Sequence, residues 1–137
     1  MKVDEIMSRE PVTVGMDDDL HRVKDLFELY RFHHLLVLLG EKLVGVISDR
    51  DLLRASSPFS GRASERPQDV ATLNRRVHQI MTRNLVVVAP GTPVEDAARL
   101  MLDKRVSCLP VVTDDGELLG IVTWRDQLRS LLPPAGR

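Results

Sequence analysis

The chain repeats itself. Shifted by 74 positions, Val3, Ile6, Met7, Arg9, Val12 and Val14 fall on Val77, Ile80, Met81, Arg83, Val86 and Val88, and Leu26, Arg31, Leu35 and Val37 fall on Leu100, Arg105, Leu109 and Val111. After a one-residue insertion the shift becomes 75, and Leu43, Gly45, Arg50, Asp51 and Leu53 meet Leu118, Gly120, Arg125, Asp126 and Leu128. A duplication constrains the fold more than any single motif, because whatever one half builds the other builds too. With 137 residues in all, the copies are expected to share a core in one pseudo-symmetric domain.

In the first copy Val12 to Val14 reads as a short strand. The acids Asp17 to Asp19 open a helix carrying Leu20, Val23, Phe27 and Tyr30 at helical spacing. Leu35 to Leu39 and Leu43 to Ser48 flank Gly40-Glu41-Lys42 as a hairpin, and Asp49 to Arg54 starts another helix. The second copy keeps this order. Thr92-Pro93-Val94-Glu95 supplies a cap, a first-turn proline and the acid of a capping box, ahead of a helix that buries Val94, Ala97, Ala98 and Met101. Leu109 to Val112 and Leu118 to Thr123 flank Asp114-Asp115-Gly116, and a helix from Trp124 to Leu132 stops at Pro133-Pro134. Each copy therefore reads β-α-β-β-α. The segment from Ser56 to Gln68 is punctuated by Pro58, Gly61 and Pro67 like an exposed connector, and Val70, Leu73, Val77 and Ile80 beyond it form an apolar helical stripe. The expected division is residues 1–55, a connector with a helix at 56–76, residues 77–132, and a tail at 133–137.

Nineteen Lys and Arg against twenty Asp and Glu leave a net charge of −1, so no global field draws the chain to nucleic acid or to an anionic membrane. Arg54, Arg62, Arg66, Arg75 and Arg76 are interrupted by Glu65 and Asp69 and lack an aromatic platform, so they read as a solvated face. The longest apolar stretch is too short to span a bilayer, and the first residues lack the apolar core of a signal peptide. A soluble cytoplasmic protein is expected. Cys108 is the sole cysteine, which excludes an internal disulfide and a thiolate cluster.

The densest local signal is Gly45-Val46-Ile47-Ser48-Asp49-Arg50-Asp51, repeated as Gly120-Ile121-Val122-Thr123-Trp124-Arg125-Asp126. Both are G-x-x-[ST]-x-x-D where a strand meets a helix. One reading is structural: hydroxyl and acid form a capping box that satisfies the first helical N–H groups. The other is a ligand site. A helix N-terminus with a hydroxyl cap and a nearby arginine attracts phosphate, while a carboxylate suits a ribose diol. That second reading requires a cavity beside the carboxylates.

With these two segments, Ile6-Met7 and Ile80-Met81, and Leu109-Pro110-Val111-Val112, the chain resembles a tandem pair of CBS domains, the cystathionine β-synthase-type regulatory unit also called a Bateman module. The resemblance runs from Val3 to Leu132. It implies an α+β / α/β fold in which two pseudo-symmetric βαββα repeats pack through their sheets, leaving two clefts for adenine nucleotides. It further implies that Asp51 and Asp126 bind ribose, that Ser48 and Thr123 bind ribose or phosphate, and that Arg50 and Arg125 are phosphate partners. Backbone around Thr13, Val87, Val37 and Val111 would line the adenine slots. The copies differ where His34-Leu35-Leu36-Val37 replaces the family's Leu-Pro-Val-Val: Leu36 stands at the place of Pro110, and His33 and His34 stand where the second copy has Ser107 and Cys108.

Adjacent strand residues point to opposite faces, so His33 and His34 cannot chelate a metal as a pair. One of them near phosphate would make binding sensitive to pH. Cys108 reads as a small apolar filler, and Trp124 as a cleft wall, an interface anchor or surface packing. No nucleophile with a base, no metal cluster and no P-loop is present, so no enzyme activity is expected. The expected function is a non-catalytic sensor of AMP, ADP or ATP, with S-adenosylmethionine or NAD as further ligands and no obligatory cofactor. It would be a homodimer reporting to an effector protein that the sequence does not name. The alternative is a structural dimerisation module that binds nothing.

Overall fold

A computed structural model of the chain describes residues 1–30, 33–55 and 72–133. Its elements are α1 (Val3–Ile6), β1 (Thr13–Gly15), α2 (Leu20–Tyr30), β2 (His34–Leu39), β3 (Lys42–Ser48), α3 (Asp49–Ala55), a 3-10 turn (Thr72–Asn74), α4 (Val77–Ile80), α5 (Val94–Lys104), β4 (Cys108–Val112), β5 (Leu118–Thr123) and α6 (Trp124–Ser130). The fold is mixed α+β with two repeats. Among the described residues no helix is long and apolar enough to cross a membrane.

The chain forms two compact units, and their boundaries cut across the sequence repeat. One is Val12–Leu85; the other joins Met1–Pro11 to Val86–Arg137. Each copy's opening Ile-Met segment thus belongs to the unit built around the other copy. In the 12–85 unit Leu20 N–H donates to Arg75 O (3.0 Å), Val77 N–H donates to Asp18 O (2.8 Å), and Val46 and Thr82 exchange backbone bonds of 3.0 and 2.8 Å. The other unit repeats the pattern. Val94 N–H donates to Met1 O (2.9 Å), Val3 N–H to Thr92 O (2.9 Å), and Ser8 and Ile121 exchange bonds of 2.9 and 3.0 Å.

The motif glycines make this docking possible. A Cβ on Gly120 would stand 2.5 Å from Ser8 O and 2.8 Å from Met7 Sδ; one on Gly45 would stand 2.5 Å from Met81 Sδ and 3.2 Å from Thr82 O. Only a residue without a side chain lets the backbones approach this closely.

In the 12–85 unit the sheet order is β1-β2-β3, with β1 parallel to β2 and β3 antiparallel. Helix α2 turns Leu20, Val23, Leu26 and Phe27 into a core with Leu35, Val37 and Ile47, while Leu73, Val77 and Met81 close it from the returning segment. Tyr30, counted in the same stripe from sequence, is exposed. The other unit buries Val3, Val88, Ala97, Met101, Leu109, Val111 and Val122 together. Each unit therefore has its own apolar cluster. The hairpin turns fall where the sequence puts them, with Gly40 and Gly116 at φ of 63° and 87°, a region that favours glycine.

Three local expectations are corrected. The first strand of the second copy shrinks to a single parallel bridge, Val88↔Val111, against three steps in β1. The bridge is closed by Val88 N–H to Pro110 O and Val112 N–H to Val88 O, both 3.0 Å. Extending it on one side requires an N–H from residue 110, and on the other an N–H from residue 90; both are proline and have none. The first copy has Leu36 and Met16 at those places. Next, Thr92 does not cap α5: the cap position is Pro93, extended at ψ 142°, without a side-chain bond. Finally, the stripe from Val70 to Ile80 is not one helix. Leu73 and Val77 are buried, but the chain is drawn out between the 3-10 turn and α4, where Arg75 O accepts from Leu20 and Asp19 bridges Arg76. Val70 lies outside the described residues.

Gly120→Ala should destabilise the chain by about 1–3 kcal/mol, since its Cβ meets a backbone oxygen. Gly45→Ala should cost less, because a flexible methionine end gives way first; urea unfolding of the two variants measures the order.

Candidate ligand site

Strand β2 begins opposite the end of β3, with His34 paired to Ser48, and β3 runs directly into α3. The helix starts through a reciprocal cap: Ser48 N–H donates to Asp51 Oδ2 (2.9 Å) and Asp51 N–H donates to Ser48 Oγ (3.1 Å). In the other unit Cys108 pairs with Thr123, Thr123 N–H donates to Asp126 Oδ2 (2.9 Å), the Thr123 hydroxyl donates to the same oxygen (3.1 Å), and Asp126 N–H reaches Thr123 Oγ1 (3.4 Å). Both G-x-x-[ST]-x-x-D segments are therefore capping boxes. Asp126 is 8 % exposed, the one charged side chain buried among the described residues. The caps use one carboxylate oxygen each. The other lies 3.8 Å from Arg54 Nη1 in Asp51 and 3.7 Å from Arg129 Nη1 in Asp126.

Around Asp51 the register gathers Thr13, His34 and Ser48 at one end of the three-stranded sheet, since Thr13 opens β1 opposite Leu36. Arg50 is exposed on the first turn of α3, while Val37 is fully buried in mid-strand and can offer a ligand only backbone. In the other unit Pro110 and Val111 are buried in β4, Val87 is exposed beside the single bridge, and Arg125 is exposed on α6.

The two sheet ends carry different chemistry. His33 Nδ1 lies 2.9 Å from Asp49 Oδ2, and Asp49 N–H donates to His33 O (3.0 Å). The His33 hydrogen bond holds the Asp49 carboxyl below the usual carboxylate range. Burial lowers the His34 pKa, opposed by the nearby charge of Asp49. At the counterpart places Trp124 N–H donates to Ser107 O (3.2 Å), and burial pushes the Cys108 thiol up to about 11, as suits an inert filler. Trp124 is 46 % exposed at the start of α6.

Beside Asp51 lies a shallow depression of about 230 Å3, lined by Asp51, Arg54, Ala55, Arg75 and Ile80. From sequence, Arg54 and Arg75 read as part of a solvated connector face. The signal that could have placed Arg75 is the repeat itself, which sets residues 75–82 against residues 1–8, ahead of the Ile-Met segment that docks beside the glycine motif.

The CBS domain profile matches residues 3–58 and 77–132. The chain belongs to the CBS domain family. It is 32% identical over 138 residues to an inosine-5'-monophosphate dehydrogenase of Methanocaldococcus jannaschii, an alignment covering 99% of this chain and 25% of that enzyme. Among solved structures of CBS proteins, CBSX2 of Arabidopsis thaliana in complex with AMP superposes with a TM-score of 0.80 at 30% identity, covering 95% of both chains. The CBS domain pair of protein MJ0100, in complex with 5'-methylthioadenosine and S-adenosyl-L-methionine, gives 0.78 at 26% identity, covering 96% of this chain and 95% of that one.

A histidine whose folded pKa is lowered favours the unprotonated state on folding. Its stabilising contribution is complete above the unfolded pKa of about 6.5 and is lost as pH falls through the lower folded value. Stability should therefore fall between pH 7.5 and pH 5.5, and His34→Leu should flatten that slope in urea unfolding at the two pH values.

Proposed function

We propose that this CBS pair is a non-catalytic regulatory module whose ligand contains adenosine, with AMP, ADP or ATP ahead of S-adenosylmethionine and NAD. One observation carries this reading: Asp51 has its cap oxygen occupied and still borders a depression, so its second oxygen can accept from a ribose diol. The two solved CBS pairs support it, because AMP, 5'-methylthioadenosine and S-adenosyl-L-methionine have adenosine in common. The dehydrogenase supports a regulatory role, since the similarity covers only a quarter of that enzyme.

A thermal-shift series with AMP, ADP, ATP, S-adenosylmethionine and NAD tests the proposal. Ligand at 100 times its Kd adds about 2.7 kcal/mol, a rise on the order of 5–10 °C for a chain of this size. In Asp51→Asn an amide oxygen still accepts from Ser48 N–H, so the unliganded Tm should stay within a few degrees while the ligand-induced rise shrinks. No rise with any of the five would favour a structural module, which the self-sufficient caps would also serve.

The module is further proposed to be a homodimer formed through its helices. Leu53 on α3 and Leu128 on α6 occupy matching places in the two copies, yet they are 75 % and 59 % exposed, and Trp124 stands one turn before Leu128. Sedimentation should show a dimer that Leu53→Glu combined with Leu128→Glu converts to monomer.

A further inference from the structure

The depression beside Asp51 has an uneven charge. Asp51 brings one carboxylate, with Oδ2 committed to the α3 cap and Oδ1 facing Arg54 at 3.8 Å. Arg75 lines the depression and brings a second guanidinium, which makes no ion pair among the described residues. Its backbone is held by Leu20 N–H at 3.0 Å, so the side chain projects from an anchored position. Two guanidiniums against one carboxylate leave about one net positive charge at the rim. Ala55 and Ile80 complete the lining with apolar surface. At about 230 Å3 the space is smaller than the roughly 300–1,000 Å3 of pockets that enclose a whole ligand. It suits one end of a ligand.

The other unit lacks this arrangement. By the repeat, Arg54, Ala55 and Ile80 correspond to Arg129, Ser130 and Ile6, and Arg75 corresponds to Met1. The last correspondence is structural as well: Arg75 O accepts from Leu20 as Met1 O accepts from Val94, at the starts of α2 and α5. Met1 is 64 % exposed and has no guanidinium to offer.

We propose that the 12–85 unit selects its ligand by charge, seating an anionic group such as a phosphate between Arg54 and Arg75, with Arg75 as the specificity-determining residue. This rests on the adenosine reading above and narrows it: AMP is favoured there over neutral adenosine and over the sulfonium of S-adenosylmethionine. Neither Arg50 nor Arg125 is required for that preference.

Titrations of AMP, adenosine and sodium pyrophosphate, followed by isoleucine methyl NMR on the full chain, test this. The Ile80 methyl reports the 12–85 unit and the Ile6 methyl the other, with Ile80→Val and Ile6→Val for assignment. At Ile80 AMP should bind at least about tenfold tighter than adenosine, the scale of one charge-assisted hydrogen bond. Arg75→Met should remove that advantage without weakening adenosine, and Arg75→Lys should restore part of it. Equal affinities in the wild type, or equal loss of both ligands in Arg75→Met, overturns charge selection and leaves the adenosine reading intact. If neither adenosine compound binds, the adenosine reading fails, and pyrophosphate decides the anion seat: binding that depends on Arg75 upholds it, and no binding overturns it.

Discussion

One bare backbone position holds each unit together. At Gly45 and Gly120 the missing Cβ lets a distant segment lie against the sheet edge, so that Val46 pairs with Thr82 and Ser8 with Ile121. The consequences reach the site. Docking at Gly45 carries Ile80 and Arg75 to the flank of α3, where they meet Asp51 and Arg54. The glycine of the G-x-x-[ST]-x-x-D segment thus has no contact with the cap it precedes, yet it determines what the cap faces.

Features governed by neighbours in sequence were legible from it. Hairpin turns at Gly40 and Gly116, the hydroxyl–carboxylate caps of α3 and α6, and the apolar face of α2 all follow from spacing within a few residues. Features governed by distant partners were harder to read. The apolar stripe ending at Ile80 did bury Leu73 and Val77, but hydrogen bonding to α2 drew the backbone out between them. Arg75 looked solvated because its place beside Asp51 depends on that returning segment. The shortened pairing of Val88 was readable in principle, since it follows from counting N–H groups at Pro90 and Pro110. In the sequence Pro110 stands out only as the counterpart of Leu36.

Duplication has preserved the scaffold and released the chemistry around it. Both helices keep their caps because a short helix leaving a strand needs its first N–H groups satisfied. Nothing in the cap dictates what stands beside it. One copy therefore carries His33, His34 and Asp49 where the other carries Ser107, Cys108 and Trp124, and the Asp51 side chain is more exposed than that of Asp126. The unit with the more accessible carboxylate is also the one with the extra arginine.

The exchange of opening segments has a bearing on biosynthesis. Residues 1–11 leave the ribosome well before Ile121, the partner that Ser8 requires, has been added, whereas residues 77–85 emerge after the strands that receive them. The Val12–Leu85 unit can thus close during translation while Val3, an apolar residue with no other burial partner yet made, waits in solvent. Any holding factor, or any aggregation in crowded conditions, would act on that interval.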